Sequence, residues 1–320
     1  MIKRILQKVA VGFAAAVAIC AVFMNIPARD GAQEALEAFA VIPTPEPTEA
    51  VRDYGELEAE LRVMLKEKSG DWSLCLINYD TGQEIEINSH QVYSASLIKL
   101  FVAQTVYQQI ADGAISDSDD IEDLLRRMIT YSDNEAWRSI ARKLGGGSYT
   151  RGMELVTNTA QAAGYGDTGQ FFQGAHKNYN FTSVADCGKY LRDMLDGNLV
   201  SADYSAKILG YMLKQEILHK IPSGVPDGIT VANKTGELDY MQGDAAVIYS
   251  PAATYILVII GDSLTNAYAT APFFGEVSEV VYNFINENID NNGQMEYNHN
   301  EGVTEETAAP ENDAEGDDPV

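Results

Sequence analysis

Residues 229–260 read ITVANKTGELDYMQGDAAVIYSPAATYILVII, and this stretch sets the architecture. Its apolar, β-branched runs at 229–233, 245–249 and 254–260 predict three strands. Three such strands bury too little area to be stable alone, so the chain must complete their sheet from elsewhere. The complement lies near the other end, where 72–79 and 84–88 alternate around the turn residues Asp80-Thr81-Gly82 and read as a hairpin. Leu57, Leu61, Met64 and Leu65 recur at helical spacing and place a helix over 53–68. Between hairpin and final strands the pattern is helical at 96–110, 121–130, 135–144, 149–163, 183–195 and 202–215. Gly113, Gly145, Gly164 and Gly197 mark helix ends in this block. A last helix over 272–285 carries Val277, Val280, Val281, Phe284 and Ile285 on one side. The predicted fold is α/β in the α+β sense: a five-stranded antiparallel sheet flanked by N- and C-terminal helices, with an all-helical lobe inserted. A cleft between lobes is the default place for a site.

The 320 residues are 46% hydrophobic and 22% charged, a globular composition that excludes a disordered, collagen-like or multi-span membrane chain. The 22 Lys+Arg against 47 Asp+Glu give a formal net charge of −25, which repels phosphate backbones and argues against a nucleic-acid partner. Three cysteines and four histidines, without C-x-x-C or H-E-x-x-H spacing, argue against a zinc site; no metal or cofactor is expected.

Four segments follow from composition. Over 1–30, Lys3, Arg4 and Lys8 precede an apolar run at 9–26, the order of a signal peptide or a membrane anchor; eighteen residues are at the lower limit for a span. Ala38-Phe39-Ala40 has the small-x-small form of a cleavage site but lies far beyond that run, and Cys20 follows the bulky Ile19, which disfavours lipidation. Either outcome exports the body, secreted or held at the surface through 9–26. The 31–52 segment contains Pro43, Pro45 and Pro47 and reads as an extended linker. The folded body is expected over 53–286, as a monomer. The 287–320 tail holds eleven acids and no Lys or Arg and reads as solvated and disordered. Cys75 and Cys187, the body's two cysteines, fall in a strand and a helix pattern; they could pair, but two buried thiols are expected.

Three motifs fall in order along the body. Ser96-Leu97-Ile98-Lys99 opens the first helix of the inserted block, Ser132-Asp133-Asn134 lies in the loop after Thr130, and Lys234-Thr235-Gly236 ends the strand at 229–233. A serine in the first helical turn sits beside unpaired N–H groups and the positive end of the helix dipole. Lys99, three residues on, shares its helix face, so the amine can reach the Ser96 hydroxyl. Serine needs such a base, and the lysine must be partly deprotonated, which burial and a second cation promote. Lys234, from the facing strand, would be that cation. Taken alone, Ser96 could be a helix cap with a solvent-facing lysine, and Ser132 and Asn134 are also good N-caps for the next helix.

The trio resembles the motif set of the penicillin-recognising serine enzymes, the class A β-lactamases and penicillin-binding proteins, and the likeness extends to element order from residue 53 to about 285. The resemblance implies a β-lactamase/transpeptidase-like fold and a small-molecule β-lactam or D-Ala-D-Ala-type peptide as substrate. It implies Ser96 as acylated nucleophile, Lys99 as its base or proton relay, and Ser132 as proton carrier to the leaving nitrogen. Asn134 would bind the substrate amide, Lys234 and Thr235 its carboxylate, and Gly236 would let it lie close along the strand. The oxyanion hole would be the backbone N–H groups of Ser96 and Glu237.

Two departures matter. The family's β-lactamases carry a glutamate between the second and third motifs that activates water to release the acyl group. No glutamate lies between Glu154 and Glu216 here, and Asp167 is the one acid in the matching segment, 164–179, which reads as a loop. The family's arginine near the third motif is also missing, since nothing basic follows Lys234 and Asp244 stands close to that position. The expected activity is therefore that of an exported serine β-lactamase-like hydrolase that acylates readily and deacylates slowly. The alternatives are a penicillin-binding D,D-peptidase or transpeptidase, and a surface sensor that hardly turns over. Gly164-Tyr165-Gly166-Asp167-Thr168-Gly169 matches a dinucleotide fingerprint but follows a helix pattern rather than a strand. His90, His176 and His219 are scattered, and Phe171-Phe172 and Tyr93 could line the cleft or simply pack.

Overall fold

The computed structural model describes residues 54–172 and 178–287. The N-terminal segment, the linker, all but Glu287 of the tail, and His176 lie outside the described residues. Strand β1 (Asp71–Asn78) and strand β8 (Thr254–Asp262) are almost wholly buried along their length, because each is covered on both faces. Leu74, Leu76, Leu257 and Ile259 join one core, and Cys75, Ile77, Ile256 and Val258 join the other. Strand geometry sends alternate side chains to opposite faces, so a double-covered strand reads as an unbroken apolar run. Around these two the sheet runs β2-β1-β8-β7-β6, with β2 (Glu84–Ile87), β6 (Thr230–Leu238) and β7 (Met241–Tyr249), every pair antiparallel.

Helix α1 (Gly55–Glu67) and helix α8 (Ala271–Asn286) cover one face through Leu57, Leu61, Leu65, Phe274, Val277 and Val281. The inserted lobe covers the other. It comprises α2 (Ile98–Ala111), α3 (Asp119–Thr130), α4 (Asn134–Leu144), α5 (Tyr149–Ala162), α6 (Val184–Leu195) and α7 (Ala202–Met212). In α2 the ten residues from Ile98 to Tyr107 are all buried, Lys99 included, so this is the lobe's central helix. Four of its neighbours start on a serine, Ser118, Ser148, Ser183 or Ser201, whose side chain accepts an N–H of the first turn; α4 starts on Asp133.

Three expectations need correction. Lys234-Thr235-Gly236 does not end a short strand but lies inside the nine-residue β6, because Gln242, Gly243 and Asp244 of β7 continue the ladder opposite it. The 164–179 segment is not a plain loop. It contributes β4 (Gly169–Phe172) and leads into β5 (Asn178–Thr182), which pairs with both β4 and the two-residue β3 (Val92–Tyr93) just ahead of Ser96. Asp133, not Ser132 or Asn134, caps α4. The two cysteines are free and buried; Gly188 leaves the room that the Cys75 sulfur fills, 2.6 Å from where a Cβ would stand.

The lobe's tightest contact is between α4 and α5. A Cβ at Gly152 would stand 1.8 Å from the Ala141 carbonyl oxygen, a backbone atom that cannot step aside. Gly152→Ala should therefore lower stability by about 1–3 kcal/mol through overpacking. That sign is opposite to the roughly 1 kcal/mol that alanine gains over glycine inside an unobstructed helix. Urea unfolding of the full chain reads the sign: a lower midpoint is expected, and an equal or higher one would mean that the helices are not packed this closely.

Candidate active site

Ser96 stands in a 3-10 turn, Ala95–Leu97, that leads into α2, rather than in the α-helix itself. The residue before it, Ala95, has a φ of 43°, a left-handed conformation that costs a non-glycine residue about 1 kcal/mol or more. The turn is held against the sheet by two glycines that face each other across β6 and β7, Gly236 and Gly243. A Cβ on Gly236 would meet the Ser94 carbonyl oxygen at 2.9 Å and Leu97 at 3.1 Å, and one on Gly243 would meet Leu97 at 3.0 Å. The notch left by these glycines seats Leu97. Gly236 thus serves first to let the strand close on the turn of Ser96.

The Lys99 ammonium is 1% exposed and fully hydrogen-bonded. Its three protons go to the Ser132 carbonyl oxygen (2.6 Å), the Ser132 Oγ (3.2 Å) and the Asn134 Oδ1 (2.8 Å). Ser132 offers both oxygens to one amine by taking a φ of 54°, again left-handed. Lys234, wholly buried, donates to the Ser132 Oγ at 2.9 Å and to the Thr235 carbonyl at 2.7 Å. Two lysines from two lobes therefore converge on one hydroxyl. With both lone pairs occupied, that hydroxyl has only its own proton left to give.

Electrostatics follow from burial. Burial pushes the Lys99 amine down to about 8, with Asp133 opposing and Arg138 assisting. Lys234 is pushed well below its ordinary range, first by burial and then by the Lys99 charge, against Asp244. Asp133 accepts from the Glu135 and Ala136 N–H groups and pairs with Arg127. Partial burial works to raise its carboxyl, but the Ala136 N–H, Arg127 and Glu135 N–H outweigh this and hold it low.

The expected residues are thus brought together unevenly. Lys99, Ser132, Asn134 and Lys234 form one hydrogen-bonded array, with Ser132 partly buried and Asn134 exposed. Ser96 stands in the turn that leads into the helix of Lys99, yet its hydroxyl bonds to no described residue. A protonated Lys99 has no donor left for it and no lone pair to accept from it. Thr235 and Glu237 point to the other face of β6 from Lys234, as strand alternation requires. Thr235 is 1% exposed, and Glu237 pairs with Lys220 at 3.1 Å. Asp244 is register partner to Thr235 and is fully buried on that same far face, accepting from the Asn233 amide and the Ile221 N–H. Burial raises its carboxyl to about 6 against Lys220, Asn233 and Ile221. It does not face the array.

Lys220 was not legible as a site residue. It is 0% exposed, and its ammonium donates to the carbonyls of Gly236 (3.3 Å) and Gly243 (3.2 Å) beside Glu237. The cation near the third motif therefore comes from ahead of β6, not after it. Gly164 to Gly169 connects α5 to β4 and buries Tyr165, whose hydroxyl donates to Asp193. His90 pairs with Asp71 and His219 approaches Glu237; neither touches the array. On the small sheet, the Gln170 amide donates to the Asn180 Oδ1 (3.1 Å) and to the Tyr149 hydroxyl (3.3 Å), and the Ser94 N–H donates to the Asn180 carbonyl (3.0 Å).

A family model described as the beta-lactamase enzyme family matches residues 56–122 and 120–285. Among solved structures, PBP-A is 20% identical, with a TM-score of 0.65 over 75% of this chain and 99% of its own. A β-lactamase from Sphaerobacter thermophilus is 18% identical, with a TM-score of 0.64 over 74% of this chain and 99% of its own. A PBP-A variant, captured as an acyl-enzyme complex with penicillin G, is 19% identical at a TM-score of 0.63, covering 75% of this chain and 100% of its own. No curated protein matches the chain. The structural likenesses carry the fold, and the family match spans nearly all of the described body, including the turn of Ser96, the Ser132 loop and strand β6. This chain belongs to the beta-lactamase enzyme family.

Proposed function

We propose that the protein is an exported active-site serine hydrolase that takes β-lactams or related cell-wall amides onto Ser96 as an acyl-enzyme and releases them slowly. The observation that carries this reading is the convergence of Lys99 and Lys234 on the Ser132 hydroxyl, with Lys99 three residues after Ser96 in the chain. In the proposed cycle, Lys99 loses a proton, gives up one hydrogen bond and gains a lone pair that accepts the Ser96 proton. The Ser96 oxygen attacks the amide carbonyl, whose oxygen is received by the N–H groups of Ser96 and Glu237. Ser132, its lone pairs filled, passes its proton to the departing nitrogen and is recharged from the lysine pair. Lys234 would supply positive field for a substrate carboxylate, and Asn134, exposed and bonded to Lys99, would hydrogen-bond the substrate amide.

Release requires a base for water. The polar side chains described on β4 and β5 include the Gln170–Asn180 pair, and amides hydrogen-bond water without taking its proton. General-base activation contributes roughly 10²–10⁴-fold, so the lack of a carboxylate among the residues described on β4 and β5 would make deacylation the slow step. That same feature favours the second reading, a penicillin-binding D,D-peptidase or transpeptidase, in which an acyl acceptor other than water completes the cycle.

Incubated with a fluorescent penicillin, the protein should show a burst of about one product per enzyme and a persistent acyl-enzyme by mass, abolished in Ser96→Ala. Label retained on the same tryptic peptide in the alanine variant would overturn the assignment of Ser96. Fast turnover without a trapped species would overturn the slow release.

The pH dependence has a definite sign. Lys99 accepts a proton only as the free amine, so acylation should rise as pH increases through about 8 and level off above it. Single-turnover acylation measured from pH 6 to 9.5 reads this directly. A flat profile, or one that falls over this window, would remove Lys99 as the base.

A further inference from the structure

At one end of the five-stranded sheet, the first residue of β1 and the last of β8 are both aspartates, and Asp71 stands directly opposite Asp262 in the ladder. Like charges facing each other across a strand pair repel. No lysine or arginine pairs with either among the described residues, and the Asp262 Oδ1 is buried without a partner. The basic group beside them is His90. Its Nε2 lies 3.1 Å from the Asp71 Oδ2, and its Nδ1 lies 2.8 Å from the Asn88 carbonyl oxygen.

Both of those partners only accept. A neutral imidazole has one N–H and one lone pair, so it satisfies one acceptor and turns a lone pair on the other. Only the doubly protonated ring donates to both. Its charge also acts on the facing carboxylates. Burial raises the Asp262 carboxyl, the Ser263 N–H opposes this, the Asp71 charge adds to it and the His90 charge works against it. The other charged groups nearby are placed or occupied elsewhere. Glu86 of β2 pairs in register with Cys75, four residues along β1 from Asp71. Asp186 of α6 accepts from the Thr168 hydroxyl and the Asp167 N–H. Tyr240, on the turn joining β6 to β7, has its hydroxyl raised by burial and stays neutral near pH 7.

The segment that His90 holds leads to the site. Residues 88–93 carry the chain from β2 into β3, just ahead of the turn of Ser96. Asn88 turns there with a φ of 52°, and its amide donates to the Asp71 Oδ1 (2.7 Å) and the Trp72 carbonyl (3.1 Å). The Ser73 hydroxyl donates to the Asn88 carbonyl at 2.7 Å. Farther along, the Ser89 Oγ accepts the Ala185 N–H of α6, and the Gln91 amide donates to the Asp167 carbonyl. The small sheet is thereby tied to the lobe through Ser89 and Gln91, and to β1 through Asn88 and His90.

We infer that His90 is a proton-operated latch between the end of the large sheet and the approach to Ser96. Protonated, it bridges the Asp71 carboxylate and the Asn88 carbonyl and holds residues 88–93 in place. When the ring loses a proton, one of the two bonds is lost, Asp71 and Asp262 face each other without a cation, and the segment gains freedom. Imidazole is the side chain that ordinarily changes charge between pH 5 and 8. The count of donors fixes the sign: the latch is tight in mild acid and loosens as pH rises. It stands or falls independently of the acylation of Ser96.

Hydrogen–deuterium exchange of the full-length protein, read by peptide mass at pH 6 and pH 8 with labelling times scaled for the intrinsic pH dependence of amide exchange, tests this. In the wild type, the peptide covering residues 88–95 should be better protected at pH 6 by roughly two- to fivefold, the range of one surface ion pair. Peptides of α8 should show no such difference. His90→Gln should bring the protection at pH 6 down to the level at pH 8. Asp71→Asn separates the latch from packing, because its amide can donate to the lone pair of the neutral ring; the segment should then be as protected at pH 8 as at pH 6. A merely structural histidine would leave protection in the wild type independent of pH, and that result would overturn the latch. So would a pH dependence that survives in His90→Gln or persists in full in Asp71→Asn, or one shared equally by α8.

Discussion

The Ser132 hydroxyl, held between two buried lysines, is the contact on which the rest of the site depends. Burying an ammonium is costly unless every donor is met, and Lys99 and Lys234 are 1% and 0% exposed. The surrounding structure is arranged to meet them. Ser132 takes a left-handed backbone so that its carbonyl and hydroxyl both face Lys99, and Asp133 locks that conformation by capping α4 and pairing with Arg127. On the strand side, the Thr235 carbonyl receives Lys234, and the Gly236–Gly243 notch admits the turn of Ser96. Lys220 fastens the same two glycine carbonyls from a third direction. Strain at Ala95 and Ser132 is thus sustained by contacts from both lobes.

In the proposed cycle this arrangement would separate the two halves of hydrolysis. The groups proposed to move protons during bond formation, Lys99 and Lys234, are gathered on the Ser132 hydroxyl. The small sheet whose strand β3 leads to the turn of Ser96 carries amides and tyrosines. Two carboxylates near the third motif, Glu237 on β6 and Asp244 on β7, lie on the far face of the sheet, where they are engaged by Lys220, Asn233 and the Ile221 N–H. They balance buried cations and are turned away from the ester that Ser96 would form.

Much of this was legible in the sequence because residue identity and periodicity carry it. The runs of β1 and β8 are apolar without alternation, as double-covered strands must be, and the helical lobe announces itself by spacing and by glycines at helix ends. The three motifs name their chemistry directly. What was not legible depends on tertiary context. Strands β3, β4 and β5 are short, and β5 contains Asn178 and Asn180, residues that strands disfavour, so pairing rather than propensity creates the small sheet. Lys220, between His219 and Ile221, has nothing in its neighbourhood that forecasts full burial; two carbonyls and a carboxylate distant in sequence make it tolerable. The positive φ at Ala95 and Ser132 falls on residues that seldom adopt it and is imposed by the contacts on either side. That the Ser96 hydroxyl has no partner among the described residues while Lys99 is charged follows from counting the amine's donors, which requires knowing its acceptors.

The central claim is that Lys99 and Lys234 share one hydroxyl in a desolvated site and therefore hold their protons weakly. Carbon-detected NMR titration of the protein with 13C-labelled lysine side chains, assigned by single Lys→Arg variants, measures this most directly. The account predicts that the Lys99 signal titrates near pH 8 and the Lys234 signal well below the exposed lysines. Titration of both signals together with the exposed lysines, above pH 10, would contradict it.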